Sequence, residues 1–287
     1  MKRLWILGNG FDLSHGLNTS YEDFRKYLIA KYGYTPFNDE FYPFNDDMEI
    51  SLIIDMIGLA SEEAYWKDIE NALGCIYRSF NRLIDEKRDF DEQRIIGVII
   101  ANCLKRIPLL FSEWVDTIEI EFAKPLSKFE NLFALDSNVY ITFNYTSVLE
   151  KTYHIEPDKI CHIHGLQHNP IIFGHSRNLT PEIEFSLRED LECAIEQLWS
   201  DLKKDTMQQI LKNKSFFEQM SPIKEIYSYG FSFSEPDLPY IQEICKKTNN
   251  DTVWYFSSYE NLNTRKTFEK IIREKEFMGE ISTFSIN

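Results

Sequence analysis

Residues 2–10 read KRLWILGNG, and this stretch decides the fold. A short run of large apolar residues stops at Gly8 and Gly10, which is typical of a buried parallel strand that leads into a phosphate-binding loop. Thr19, Ser20 and Glu22 then have the pattern of a helix start, and the apolar spacing behind them predicts a helix over 20–32. The chain therefore opens with a strand, a glycine turn and a helix.

The same alternation returns after residue 137. Residues 48–130 repeat apolar positions at helical spacing, whereas 34–47 carry two prolines and predict a loop. Helices are predicted near 147–153, 186–213, 237–248 and 261–275, and strands at NVYITFN (138–144), KICHIHG (159–165), PIIFGH (170–175), KEIYSYGFS (224–232), DTVWYFS (251–257) and ISTFSI (281–286). Strands separated by such helices pair in parallel.

We therefore predict a Rossmann-like, doubly wound α/β fold with a mostly parallel sheet and an all-helical insertion. The sheet domain is expected to comprise residues 1–35 and 137–287, and the helical insertion residues 36–136.

Composition narrows the class of protein. The 287 residues carry a formal net charge of −15, which disfavours binding to duplex nucleic acid. We find no apolar run near the ~20 residues of a membrane span and no export signal, so we expect a cytoplasmic protein without a membrane partner. Five scattered cysteines without a CxxC pair fit free thiols and exclude a four-cysteine zinc ribbon.

Two glycine-containing loops are candidates for nucleotide binding. Gly8 and Gly10 allow the backbone to approach a pyrophosphate closely, although a tight turn without a ligand explains them equally well. In the second loop Gly230 and Ser232 follow a strand, and Asp237 opens the next helix. This second loop is placed to meet the other end of a dinucleotide, and helix capping alone also accounts for Asp237.

Polar side chains follow two further strands. Asn144 and Thr146 come directly after a strand, at the end where open α/β sheets bind ligands, and Asn144 could instead cap the next helix. His164 precedes Gly165 at another strand end and suits a general base, because imidazole titrates near neutral pH. His162, which alternation puts on the same face, is interpreted as a core histidine. HxH supplies only two ligands, so no metal site is predicted.

Together and in this order, four segments resemble the bacteriophage abortive infection AbiH family: GNGFDLSHGL at 8–17, TFNYT at 142–146, HIHG at 162–165 and GFSFSEPDLPYI at 230–241. That family is similar in turn to the sirtuin-like NAD-binding superfamily. Sirtuins carry GAG with a third glycine six residues after the second, as at Gly8, Gly10 and Gly16. Their TQNxD element matches residues 142–146, and their catalytic histidine before glycine matches His164. The resemblance spans the strands but not the helical insertion.

The resemblance implies an anti-phage effector that takes NAD as its substrate and cleaves the nicotinamide ribosyl bond, with no metal. On this interpretation the first loop binds the pyrophosphate, and Asp12 or Thr146 binds the nicotinamide ribose. Asn144 then positions a water and His164 accepts its proton. The remaining residues expected to contact NAD are Gly8, Asn9, Gly10, Phe11, Thr142, Gly165, Gly230, Ser232 and Asp237.

The sequence departs from the sirtuin pattern in two places, and alternatives stay open. Thr146 stands where TQNxD has its aspartate, and the zinc ribbon is missing, so a protein deacetylase is not implied. A nucleotide sensor without turnover, an ADP-ribosyltransferase acting with a partner, and an interaction module remain alternatives. The candidate partners are NAD or a related nucleotide, a phage or host protein that triggers activity, and a second copy of the chain in a homo-oligomer. The helical insertion is the candidate restraint on activity.

Overall fold

The computed structural model describes most of the chain. The described residues are 2–36, 48–60, 66, 68–76, 79–80, 90–177 and 189–286. Residues 37–47 of the predicted loop at 34–47 lie outside the described residues, and so do parts of the predicted helical stretch 48–130.

A six-stranded parallel sheet forms the centre of the fold, in the order β3-β2-β1-β4-β5-β6. Its strands are β1 (Lys2–Leu7), β2 (Asn138–Thr142), β3 (Ile160–His162), β4 (Ile223–Tyr229), β5 (Val253–Ser257) and β6 (Glu280–Phe284). The strand order reverses at β1, between β2 and β4, as in doubly wound dinucleotide-binding folds. This arrangement confirms the predicted parallel α/β fold.

Helices connect the strands. They are α1 (Asn9–Ser14), α2 (Tyr21–Tyr32), α3 (Glu49–Ala60), α4 (Ile69–Gly74), α5 (Phe90–Leu104), α6 (Ile107–Val115), α7 (Ser127–Phe133), α8 (Val148–Tyr153), α9 (Glu189–Asp201), α10 (Thr206–Lys212), α11 (Lys214–Glu218), α12 (Leu238–Lys247) and α13 (Leu262–Glu274). Short 3-10 turns lie at Ile120–Phe122, Pro157–Lys159 and Glu235–Asp237.

Strand β1 is buried on both faces, as its unbroken apolar run predicts. Leu4 and Ile6 point into one core with residues of α12 and α13, whereas Trp5 and Leu7 point into a second core with residues of α1, α7 and α8. In the second core, parallel register stacks Trp5 on Tyr227 and Tyr227 on Tyr255, each pair with ring centroids 4.7 Å apart. This stack of rings crosses the three neighbouring strands β1, β4 and β5.

The chain divides into two compact units. The first contains the sheet and comprises residues 1–19, 115–171 and 205–287; the second comprises residues 20–114 and 172–204. The second unit is helical in its described part. It contains a buried ion pair, in which Lys204 Nζ lies 2.9 Å from Glu70 Oε1. These boundaries differ from those of the predicted domains, because helix α2 and residues 172–204 group with the other helices; the predicted domains themselves stay a prediction.

Three local predictions were wrong. The predicted strand at 170–175 forms only an isolated bridge between His175 and Lys203. The predicted helix over 186–213 is interrupted between α9 and α10. Strand β3 ends at His162, so His164 lies in the following turn and the two histidines do not share a strand face. Apolar character alone did not reveal these interruptions.

Candidate functional site

The candidate site lies where the carboxyl ends of β1 and β4 meet, at the reversal of the strand order. Here the turns after the two strands pack backbone against backbone. A Cβ atom on Gly10 would lie 2.6 Å from Gly230 Cα, and one on Gly8 would lie 2.5 Å from the Gly230 carbonyl oxygen. Gly230 has a φ of +61°, which favours glycine. These three glycines therefore join the two loops that were predicted to bind opposite ends of a nucleotide.

Backbone donors at this turn are engaged within the protein. The N–H groups of Gly8 and Gly10 donate to the carbonyls of Tyr229 and Gly230 at 3.2 and 3.0 Å, and the Phe11 N–H donates to the Gly8 carbonyl at 2.9 Å. A pyrophosphate at this turn would therefore need other donors than these three N–H groups.

A buried carboxylate is the centre of the site. Asp12, on helix α1, accepts a hydrogen bond from the Asn144 amide at 2.8 Å through Oδ1 and one from the Thr146 hydroxyl at 2.7 Å through Oδ2. Asn144 is itself held by its backbone N–H, which donates to Thr142 Oγ1 at 3.1 Å. The structure thus brings together four residues that the sequence placed on two separate motifs.

Burial dominates the electrostatics of Asp12. It raises the pKa of the carboxyl group from 3.8 to about 7, against the hydrogen bonds of Thr146 and Asn144 and the charge of His162, which lower it. Near neutral pH this carboxyl group therefore changes between its neutral and ionised forms.

His164 pairs with Asp237 across the same end of the sheet. Its Nε2 lies 3.2 Å from Asp237 Oδ1, and the two side chains are only 3% and 8% exposed. The rings of Phe143 and Tyr240 lie edge-on to the imidazole at 5.4 and 5.7 Å. Two residues predicted on different loops thus form one imidazole–carboxylate pair, an arrangement that orients a histidine for proton transfer.

A second imidazole–carboxylate pair lies nearby. His162 Nε2 is 2.8 Å from Glu150 Oε1, and the side chains are 14% and 19% exposed. His162 Nδ1 and Glu150 Oε2 are buried and have no hydrogen-bond partner. Sequence reasoning interpreted His162 as a core histidine and did not assign Glu150. The available signal was the position of Glu150 in the first turn of α8, directly after β2.

The other predicted residues have varied surroundings. Phe11 is buried in the aromatic core against Phe129, at a centroid distance of 5.1 Å, whereas Ser232 is exposed. The Asn9 side chain donates to the Thr19 carbonyl at 2.8 Å. Gly165 has a φ of +88°, and a Cβ atom there would lie 2.5 Å from the Pro170 carbonyl oxygen. Gly165 therefore shapes the turn that carries His164.

His15, which the sequence interpretation left out, fixes α1 beside the site. Its Nδ1 donates to the Phe11 carbonyl at 2.7 Å, so a neutral ring accepts the Tyr153 hydroxyl hydrogen at Nε2, at 2.6 Å. Tyr153 in turn accepts a hydrogen bond from the Leu126 N–H at 3.1 Å. Burial lowers the pKa of His15, which favours this neutral state.

Two wider features bear on ligands and location. Within the described part of the chain, no group of three His, Cys, Asp or Glu residues could hold a metal ion. One helical stretch there, Arg94–Val115, is long and apolar enough to cross a membrane, whereas the sequence analysis predicted no apolar run of that length. Of its 18 most apolar residues, 44% are buried, and a core helix of a soluble protein has the same length and composition. Location in the cytoplasm stays a prediction.

Comparison with known proteins gives one match. The family model described as "Bacteriophage abortive infection AbiH" matches residues 4–259, which include the last four residues of β1, all of β2 to β5 and every residue of the candidate site. Neither the curated proteins nor the solved structures contain a match to the chain. The chain belongs to the bacteriophage abortive infection AbiH family.

Proposed function

We propose that this protein binds NAD and hydrolyses it to nicotinamide and ADP-ribose, as the effector step of abortive infection. Family membership connects the chain to abortive infection. The observation that carries the proposed chemistry is Asn144 Oδ1, a buried oxygen without a hydrogen-bond partner beside the buried Asp12 carboxylate. A buried acceptor of this kind needs a partner, which a bound water or ligand would supply.

The contacts of Asp12 compensate for the one position of the TQNxD element, residue 146, at which this sequence lacks the aspartate of sirtuins. Thr146 replaces the aspartate of the TQNxD element, but its hydroxyl bonds to the Asp12 carboxylate at 2.7 Å. A carboxylate is thus supplied from α1 instead of from residue 146. We infer that the site keeps its negative charge for a cationic sugar, and that the replacement leaves it competent for cleavage.

The proposed reaction balances without a metal. A water molecule held by Asn144 Oδ1 adds to the ribose carbon as the bond to nicotinamide breaks, and the bonding electrons go to the pyridine nitrogen. Nicotinamide leaves as a neutral molecule, so little acid catalysis is needed. The proton of the water passes to His164, which Asp237 orients, and an ionised Asp12 stabilises the positive charge on the ribose.

The strand order supports a dinucleotide as the substrate. Sheets with this order bind dinucleotides in the crevice where the order reverses. Asp12 and Gly230 follow β1 and β4, which flank the reversal, and Asn144 and His164 follow β2 and β3 at the same carboxyl edge of the sheet. The pyrophosphate would then lie toward the loop of Gly230.

Incubation of purified protein with NAD, followed by separation of the products, tests the proposal. We expect free ADP-ribose and nicotinamide from the wild type, and none from Asn144→Ala. Asn249→Ala, which changes an exposed asparagine of the same unit, is the matched control and should stay active. ADP-ribose attached to protein would favour a transferase, and binding without turnover would favour a sensor.

The same variants test the role in cells. Bacteria that express the wild type should lose NAD and stop growing on phage infection, whereas cells with Asn144→Ala should keep their NAD. A phage or host trigger explains why uninfected cells survive. Protection against phage with a constant NAD level would contradict hydrolysis as the effector step.

A further inference from the structure

Three buried polar atoms at the site have no hydrogen-bond partner among the residues that the structure describes. They are Asn144 Oδ1, His162 Nδ1 and Glu150 Oε2. Buried polar atoms are rarely left unpaired in proteins, since each one loses the hydrogen bonds it had with water. A group that binds here and donates hydrogen bonds would satisfy them.

The three atoms belong to one connected set of side chains. Asn144 bonds to Asp12 at 2.8 Å, and the charge of His162 acts on the same Asp12 carboxyl group. His162 lies opposite Thr142 in the register of β2 and β3, and the Thr142 hydroxyl accepts the backbone N–H of Asn144. Glu150 then bonds to His162 at 2.8 Å. The unpaired atoms therefore belong to side chains that adjoin the carboxyl ends of β2 and β3.

The chemistry of these atoms selects the ligand group. His162 Nε2 lies 2.8 Å from Glu150 Oε1. In the tautomer that donates its Nε2 hydrogen to this carboxylate, Nδ1 carries no hydrogen and is an acceptor. Asn144 Oδ1 and Glu150 Oε2 are acceptors as well, and two carboxyl groups add negative charge. A phosphate would be repelled here, whereas the vicinal hydroxyls of a ribose supply donors.

We propose that Glu150 and His162 form a binding site for the hydroxyls of a ribose, next to the Asn144 oxygen that holds the reacting water. The inference rests on the proposed NAD binding and gives the nucleotide a direction: the ribose next to nicotinamide lies over Glu150 and His162, and the pyrophosphate points away from them. His162 and Glu150 thus bind the substrate, and His164 remains the proton acceptor.

Calorimetric binding to the full chain tests this site with two pairs of probes. The first compares nicotinamide riboside with its 2′,3′-dideoxy analogue, and the second compares NAD with inorganic pyrophosphate. The wild type should prefer the riboside over the dideoxy analogue at least tenfold, and pyrophosphate should not displace the riboside. Glu150→Gln and His162→Phe should each weaken binding of NAD and the riboside about tenfold and reduce the preference for the hydroxyls.

Matched controls separate this effect from loss of charge or fold. Glu156→Gln removes the same charge from a surface glutamate paired with Lys159 and should bind as the wild type does. The double variant Glu150→Gln/His162→Phe should bind no more weakly than the worse single variant, because the two residues act as one unit. Circular dichroism and thermal unfolding show whether each variant is folded.

Each outcome decides between the two proposals. NAD binding that is equal in the wild type and in the folded variants overturns the ribose site and leaves the proposed function standing. A riboside preference that the variants lose, in a wild type that cleaves no NAD, supports the ribose site and overturns hydrolysis. A wild type that binds neither NAD nor the riboside overturns both.

Discussion

Two histidines, two residues apart in the chain, form two different imidazole–carboxylate pairs. His164 and Asp237 are almost fully buried among aromatic rings, with Nε2 and Oδ1 3.2 Å apart. His162 and Glu150 are closer, at 2.8 Å, yet more exposed, and each keeps an unpaired buried atom. The same chemical unit thus occurs once almost fully buried among aromatic rings and once partly exposed with two unpaired buried atoms.

The difference teaches how one short segment can serve two roles. Strand β3 ends between the two residues, so the chain turns and the side chains meet different carboxylates. A pair within an apolar core keeps its geometry and suits proton transfer, whereas a pair with free acceptors suits binding. A division between a proton-accepting pair and a ligand-binding pair would appear as separate effects on kcat and KM.

The largest effect is expected for His164. We expect His164→Gln to lower kcat for NAD cleavage about 1000-fold and to change KM little, because removal of a general base commonly costs 10²–10⁴-fold. His162→Phe should instead raise KM with a small effect on kcat. Steady-state kinetics of both variants measure the division directly. His168→Gln, an exposed histidine paired with Asp116, is the control and should act as the wild type does.

Equal losses of kcat in His162→Phe and His164→Gln would break the comparison. The two histidines would then act as a unit in the chemical step, and a separate ribose site would be wrong.

The fold that carries both pairs could be predicted from the sequence more fully than the pairs themselves. The apolar run of β1 and the alternation of strands and helices predicted the parallel sheet. Both patterns can be recognised within short stretches of sequence, because a buried parallel strand is apolar throughout and a helix must connect it to the next parallel strand. The predicted strand at 170–175 was wrong because its apolar residues pack as irregular chain, with only His175 in a bridge. Local hydrophobicity does not distinguish these two outcomes.

The pairs depend on contacts between residues far apart in the chain. Asp237 meets His164, and Asp12 meets Asn144, only after the sheet brings their strand ends together. Sequence position predicted that these residues lie at strand ends, whereas no spacing rule assigned their partners. Glu150 was not predicted for the same reason.

The next largest effect is expected for the carboxylate partners of the two histidines, Asp237 and Glu150. Asp237→Asn should lower kcat about 100-fold, because the amide no longer fixes the orientation and charge of the His164 ring. Glu150→Gln should change kcat by less than about threefold, since in the proposed site its partner His162 binds the ribose and accepts no proton. Single-turnover kinetics at saturating NAD separate the two. A large kcat loss in Glu150→Gln would contradict the proposed division.

A smaller effect is expected at Asp12, which accepts hydrogen bonds from Asn144 and Thr146. Because the pKa of its carboxyl group is raised to about 7, kcat/KM for NAD should rise with pH through about 7, as the ionised carboxylate stabilises the positive charge that develops on the ribose. In Asp12→Asn this rise should be absent, and activity at pH 8 should fall about tenfold. A pH profile of kcat/KM from pH 5 to 9 measures it.

Stability should show the opposite dependence on pH. The folded state keeps the Asp12 proton up to about pH 7, whereas the unfolded chain loses it near pH 3.8, so this contribution to stability falls as pH rises between those values. Relative to the wild type, Asp12→Asn should gain up to about 4 kcal/mol in its free energy of unfolding between pH 4 and pH 8. Urea unfolding at both pH values checks the sign.

The smallest effect is expected from removal of metal ions. If His162 and His164 bound one divalent ion together, they would act as one site, and their different carboxylate partners would not give them different roles. Each Nε2 instead contacts its own carboxylate, and the described residues contain no group of three ligands. Treatment with a chelator should therefore change the rate of NAD cleavage by less than about twofold. Loss of activity that zinc restores would join His162 and His164 into one site and remove the distinction between a binding pair and a proton-accepting pair.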